Sequence, residues 1–162
     1  MKKKPDLEFN PLHLNQQLCF ALYSSSRMII QAYDEFLQKL DITYLQFLVL
    51  SALWQKEKAS VKELGQILLL DSGTLSPVLK KLQHKGLVNK SRDKNDERVV
   101  YIELTHAGKI MQKDALKIPP QMFCKLDLKK KEVGDLRRQL QTLTQALIKD
   151  VKQLNTKARY GK

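Results

Sequence analysis

The chain has 162 residues, 43% hydrophobic and 28% charged, the balance of one globular domain large enough to bury a core without disulfides or metal. Lys and Arg number 29 against 17 Asp and Glu, a formal net charge of +12, so a polyanion is the natural partner, although charge alone does not choose between nucleic acid and an anionic membrane. The basic opening MKKKPDLEFN leads into no apolar h-region, and no run of about 18 apolar residues occurs, which predicts a cytoplasmic protein without a membrane partner.

Asn10-Pro11 reads as a helix entry, with the amide as N-cap and the proline at the first helical position. No proline or glycine follows up to about Leu40, and Cys19, Leu22, Tyr23, Ser26, Ile30 and Tyr33 share one stripe at helical spacing. Tyr44, Phe47, Leu48, Leu50, Leu53 and Trp54 predict a second, largely buried helix. Ser60 with Glu63 three positions on has the capping-box spacing and opens a short third helix, 60–69. After Asp71-Ser72-Gly73, a fourth helix carries Leu75, Val78, Leu79 and Leu82 on one face and stops at Gly86. Pro77 is awkward in a helix that starts at Ser72, so either Thr74 caps it or it bends.

Segments 87–92 and 98–104, rich in Val, Ile and Tyr and separated by Asp93-Lys94-Asn95-Asp96, read as a β-hairpin with a charged tip. Thr105 caps a fifth helix, which Pro119-Pro120 ends near Ile118. A sixth helix from about Leu128 carries Leu136, Leu140, Leu143, Leu147, Val151 and Leu154 at alternating spacings of four and three, an association seam. Residues 1–9 and the Lys-rich end after Asn155 read as loose ends. The predicted fold is mainly α with a small β-hairpin wing, a single domain over 1–162.

Two short helices followed at once by a hairpin form the helix-turn-helix plus wing order that places one helix in a DNA major groove. With its leucines turned inward, the fourth helix leaves Ser72, Thr74, Ser76, Lys80 and Lys81 for base edges and phosphates. The hairpin adds Lys90, Arg92, Lys94 and Arg98, and an arginine at a wing tip suits a minor groove, Arg98 foremost. The competing reading is a solvated charged face and a surface turn, which the order of elements disfavours.

Leu70-Asp71-Ser72-Gly73-Thr74-Leu75-Ser76-Pro77, then Asp96-Glu97-Arg98 and Leu104-Thr105, resemble the signatures of MarR-type regulators over nearly the whole chain. Within that family, Asn15-Gln16-Gln17-Leu18-Cys19-Phe20 with Tyr23 resembles the reactive-cysteine segment of the organic hydroperoxide resistance regulators. The resemblance implies a winged-helix lobe over 44–104, a wing salt bridge between Asp96 and Arg98, and a homodimer built by helices 12–40 and 105–155. It also implies binding to palindromic double-stranded operator DNA, with half-sites about 10 bp apart.

Cys19 and Cys124 are the two cysteines, and in a chain read as cytoplasmic a permanent structural disulfide is not expected. A cysteine senses peroxide as thiolate, so its neighbours must stabilise negative charge while leaving the sulfur accessible. With a helix starting at Pro11, Cys19 lies more than two turns in, beyond the reach of the helix macrodipole. Tyr23 stands one turn from Cys19, whereas Tyr33 lies 14 residues on, about 21 Å along a straight helix. The resemblance implies that Tyr33 and Tyr44 meet the sulfur of the other subunit and that Cys124 matches a resolving cysteine. The implied function is a repressor that leaves its operator when an organic hydroperoxide oxidises Cys19 and Cys124 of the partner subunit condenses with the sulfenate. For both cysteines the competing reading is a plain buried residue.

Two rivals remain from the residues alone: a MarR-type regulator whose tyrosines wall a pocket for a phenolic or aromatic ligand, and a thiol peroxidase. Other enzyme constellations are missing, with His13, His84 and His106 scattered, no paired cysteines at zinc spacing and no Gly-rich phosphate loop. No enzyme, metal or organic cofactor is expected.

Overall fold

The computed structural model describes residues 10–160, with side chains as far as Val151. It divides between Pro119 and Pro120 into two compact units. The first holds α1 (Leu18–Leu37), α2 (Tyr44–Lys56), β1 (Lys58–Ser60), α3 (Val61–Leu68), α4 (Ser72–His84), β2 (Val88–Arg92), β3 (Val100–Leu104) and α5 (His106–Ala115). Helix α6 (Ile118–Lys125) spans the division, and α7 (Lys130–Tyr160) belongs to the second unit. Residues 1–9, and the side chain of Leu154 in the association seam, lie outside what is described.

Helix α2 is the spine of the first unit. Thr43 and Gln46 close its start as a capping box, Thr43 Oγ1 accepting from the Gln46 N–H and Gln46 Oε1 accepting from the Thr43 N–H at 2.9 Å. Phe47, Val49, Leu50, Ala52 and Leu53 are buried along it. Ser60 and Glu63 make the second box, opening α3. Asp71 caps α4 by accepting the Thr74 N–H at 2.8 Å, and Leu75, Leu79 and Leu82 face the core. Gly86 at φ +68 ends α4, its N–H donating to Gln83 O and the Leu87 N–H to Leu82 O, a complete Schellman closure.

The hairpin pairs β2 with β3 from Val88↔Leu104 to Arg92↔Val100. Its tip is folded by Asp93, whose Oδ1 accepts the N–H groups of Asn95 and Asp96. Strand β1 adds to the far edge of β3, so the sheet order is β1-β3-β2. Thr105 caps α5, its hydroxyl accepting the Gly108 N–H at 3.1 Å and donating to Gly86 O at 2.6 Å.

Several boundaries differ from the sequence expectation. The first helix begins at Leu18, not at Pro11. Asn10 Oδ1 does accept the Leu12 N–H, but Gln16 Oε1 accepts from Asn10 N–H and Gln17 Nε2 donates to Pro11 O, which folds 10–17 into a turn and a short 3-10 helix, Leu14–Gln16. Side chains that satisfy the backbone locally displace the helix there. Pro119-Pro120 does not end a helix: both prolines sit in the first turn of α6, where missing N–H groups cost nothing. Cys124 is therefore helical rather than in a connection. Thr74 does not cap α4, which runs through Pro77 with only one backbone bond forgone. The chain after Asn155 continues α7 to Tyr160.

Candidate functional site

Helix α4 carries Ser72, Thr74, Ser76, Lys80 and Lys81 exposed, opposite its buried leucines. Lys90, Arg92, Lys94 and Arg98 are exposed on the hairpin and its tip. Ser72, Ser76, Lys90 and Arg98 come together around a cleft of about 760 Å³ between α3, α4 and β3. A smaller one of about 370 Å³ is lined by Ser76, Lys80 and Lys90. Thr74, Lys81, Arg92 and Lys94 line neither cleft. The Thr74 hydroxyl donates to Asp71 Oδ2 at 2.9 Å, so this side chain serves the cap of α4.

Sequence reasoning missed Lys62 and Gln66, which line the larger cleft from α3. Their signal was available, because the Ser60–Glu63 box fixes where α3 starts and Leu64 marks its buried side. It also missed Lys85 at the end of α4, whose ammonium bonds Asp41 Oδ2 at 2.6 Å and so ties α4 to the α1–α2 corner.

Arg98 is held in a fork by Asp96, Nε to Oδ1 at 2.9 Å and Nη2 to Oδ2 at 3.2 Å. The Arg98 N–H also donates to Asp96 Oδ1 at 3.1 Å. The guanidinium and then the N–H of Arg98 lower the Asp96 carboxyl below its ordinary range, and the same pairing raises Arg98. The Asp71 carboxyl is lowered by the Thr74 N–H and then its hydroxyl, and Glu63 by the N–H and hydroxyl of Ser60. Glu63 and Asp71 are thus engaged in shaping helix starts and Asp96 in holding Arg98, while Lys62, Lys80 and Lys90 bring positive charge to the clefts.

The start of α1 at Leu18 puts Cys19 in the first helical turn, exposed to solvent. The premise that Cys19 lies more than two turns into its helix is therefore overturned, because the start of α1 moves from Pro11 to Leu18. Tyr23, one turn on, is 58% exposed with the Arg27 guanidinium 5.8 Å from its ring centroid. Tyr33 lies near the far end of α1 and packs on Tyr44 of α2, ring centroids 4.9 Å apart. Burial raises both phenols, and proximity of Tyr44 raises Tyr33 further, so both are O–H donors at neutral pH. Cys124 is exposed on α6.

Among the described residues no group of three or more His, Cys, Asp and Glu could hold a metal, and no single helix is long and apolar enough to cross a membrane.

Residues 31–116 match the family described as transcriptional regulator SarA/Rot. The organic hydroperoxide resistance transcriptional regulator of Bacillus subtilis is 41% identical over 148 residues, 91% of this chain and 98% of that one. Among solved structures, reduced AbfR bound to DNA has a TM-score of 0.70 and 33% identity, covering 83% of this chain and 94% of its own. AbfR of Staphylococcus epidermidis has also been solved overoxidised on DNA and in a disulfide form. A single-site mutant of MarR from E. coli complexed with operator DNA has a TM-score of 0.71 and 28% identity, covering 78% of this chain and 92% of its own. Matched along nearly its whole length to a hydroperoxide resistance regulator, and in fold to winged-helix regulators, the chain belongs to the MarR/SarA family of transcriptional regulators.

Proposed function

We propose that the protein is a homodimeric repressor that holds palindromic operator DNA with α4 and the wing and releases it when an organic hydroperoxide oxidises Cys19. The observation that carries this reading is the exposed Cys19 in the first turn of α1, in a chain 41% identical to a hydroperoxide resistance regulator. The exposed hydroxyls and cations around the α3–α4–β3 cleft support DNA as the partner. Exposed apolar side chains on α1, such as Leu18 and Met28, and on α7, such as Leu136 and Leu147, support the dimer.

In the switching step the Cys19 thiolate attacks the terminal peroxide oxygen. The S–O bond forms as the O–O bond breaks, leaving a sulfenate while the alkoxide takes a proton and departs as an alcohol. The thiol of Cys124 of the partner subunit then displaces water from the sulfenic acid, and the disulfide that forms moves the reading lobes. Tyr33 and Tyr44 of the facing subunit donate to the sulfur, with Tyr23 beside it, and the sulfur serves as a signal rather than for turnover. The protein acts in the cytoplasm, where operator DNA lies.

The test is binding to the protein's own upstream promoter DNA before and after one equivalent of cumene hydroperoxide, for wild type and Cys19→Ser. The reading requires affinity to fall at least about tenfold in wild type alone, within the usual range of allosteric coupling. Equal loss, or none, in both proteins sinks it and favours a regulator of phenolic or aromatic ligands. Non-reducing electrophoresis of Cys124→Ser reads the second step, because a cross-linked dimer that survives without Cys124 removes that residue from the mechanism.

A further inference from the structure

Trp54 is the single tryptophan of the chain, and nothing in the switch above uses it. It lies at the far end of α2 from Tyr44. Its ring meets Phe47 edge-on, centroids 6.2 Å apart, and Phe47 in turn lies 5.8 Å from Tyr33 and 6.4 Å from Tyr44. Its indole N–H donates to Gly108 O at 2.9 Å across 54 residues of sequence.

Gly108 is not an ordinary point on α5. A Cβ there would stand 2.2 Å from Leu87 O, so α5 presses on the residue just before β2. The same Leu87 O accepts the Thr105 N–H at 3.1 Å, and the Thr105 hydroxyl bridges the Gly108 N–H and Gly86 O. Both strands of the wing therefore spring from one knot of Gly86, Leu87, Thr105 and Gly108, which Trp54 grips. Between the tyrosine pair and this knot lies α2, buried through Phe47, Val49, Leu50, Ala52 and Leu53, and a close-packed element of this kind transmits strain.

We propose that Trp54 is a positioning residue that couples the Tyr33–Tyr44 pair to the root of the wing, through Phe47 on one side and its hydrogen bond to Gly108 on the other. A shift of the tyrosines tilts α2, and the indole hands that tilt to the hairpin, whose β2 bears Lys90 and whose tip bears Arg98. The inference rests on the proposed function only for where the signal begins.

The experiment is a double-mutant cycle on reduced protein with no peroxide present, so that its result does not depend on Cys19 chemistry. Tyr44→Phe removes a phenol hydroxyl, Trp54→Phe keeps a ring and removes the N–H, and promoter affinity is measured for both variants, the pair and wild type. Coupling predicts that the effects fail to add by at least about threefold, as contacting networks do. Additive effects within about twofold, the behaviour of independent sites, overturn it. A second measurement guards against a merely structural loss. Trp54 emission of the reduced full-length protein should shift on Tyr44→Phe while the thermal midpoint stays within about 3 °C of wild type, and unchanged emission counts against the coupling. Separately, sulfenate at Cys19 after cumene hydroperoxide, read by mass spectrometry, tests the switch itself; its absence removes the redox reading and leaves the cycle standing.

Discussion

Helix α4 buries Leu75, Leu79 and Leu82 and shows solvent hydroxyls and ammonium groups, whereas α1 buries only Phe36 and Leu37 and leaves Leu18, Phe20, Met28, Ile29 and Ile30 exposed. The ends of α4 are closed within the lobe, by Asp71 at one end and the Gly86 turn at the other. Helix α1 instead begins with no side-chain cap, and an apolar helix surface of that extent needs cover from elsewhere. The contrast separates a helix closed at both ends within its own lobe from one whose apolar surface is left open. It also places the candidate sensing sulfur on the open side and the candidate DNA face on the closed one.

The lobe tolerates change least at Gly108. Replacing it with alanine drives a methyl group to 2.2 Å from Leu87 O, backbone that cannot swing aside. Gly108→Ala is expected to destabilise the lobe by about 3 kcal/mol, the upper range for overpacking, seen as an earlier urea midpoint. A midpoint unchanged from wild type would mean that the wing root is slack and that Trp54 grips nothing rigid.

On the other side of the comparison, Met28→Glu puts a charge on an exposed position of α1, 61% accessible. Burying an unpaired carboxylate at an interface should weaken self-association roughly thirtyfold or more, read by sedimentation velocity, while circular dichroism of the fold stays native. A dimer of undiminished strength would show that α1 is not the associating surface. Arg98→Ala comes next: it should weaken promoter binding roughly tenfold, as for a single groove contact, without moving the thermal midpoint. If affinity holds, Arg98 serves only to brace the wing through Asp96.

How far the sequence reveals this molecule depends on the range of the forces involved. The Ser60–Glu63 box, the Leu75, Leu79 and Leu82 face, Gly86 and the Asp93 turn are local devices, and each was readable from spacing alone. Thr43–Gln46 had the same spacing and passed unnoticed beside the apolar run that follows it. Strand β1 was invisible because three residues show no alternation; Lys58, Ala59 and Ser60 become a strand only by pairing with Glu103, Ile102 and Tyr101. The start of α1 misled because two glutamine side chains compete for backbone groups that the Asn10-Pro11 signal assigns to a helix. That error mattered chemically, since it moved Cys19 from mid-helix to the first turn. The approach of Tyr33 to Tyr44 was likewise hidden in a corner, where Asp41 takes a left-handed φ of 52 and the chain bends by 73° between α1 and α2.

The two regions should also fail at opposite ends of the pH scale. In the lobe, Asp71, Asp96 and Glu63 have folded pKa values below their ordinary ones. Their contribution is full above the unfolded carboxylate range, near 4, and is lost as pH falls through the lowered values. At the α1–α2 corner, Tyr33 and Tyr44 have folded values raised by burial. Their contribution is full below the unfolded phenol value, near 10, and is lost as pH rises through the raised ones. Stability measured by urea unfolding should therefore be flat between about pH 5 and 9 as far as these five groups are concerned. Asp96→Asn should remove part of the acid limb while leaving the alkaline limb intact, and Tyr44→Phe the reverse. Because Asp71 is exposed and Glu63 and Asp96 are only half-buried, the acid effect is small, and it should shrink further in high salt, which screens the Asp96–Arg98 pair. An acid limb that vanishes in Tyr44→Phe would mean that the corner and the lobe unfold as one body, and the division into a closed lobe and an open helix would have to be given up.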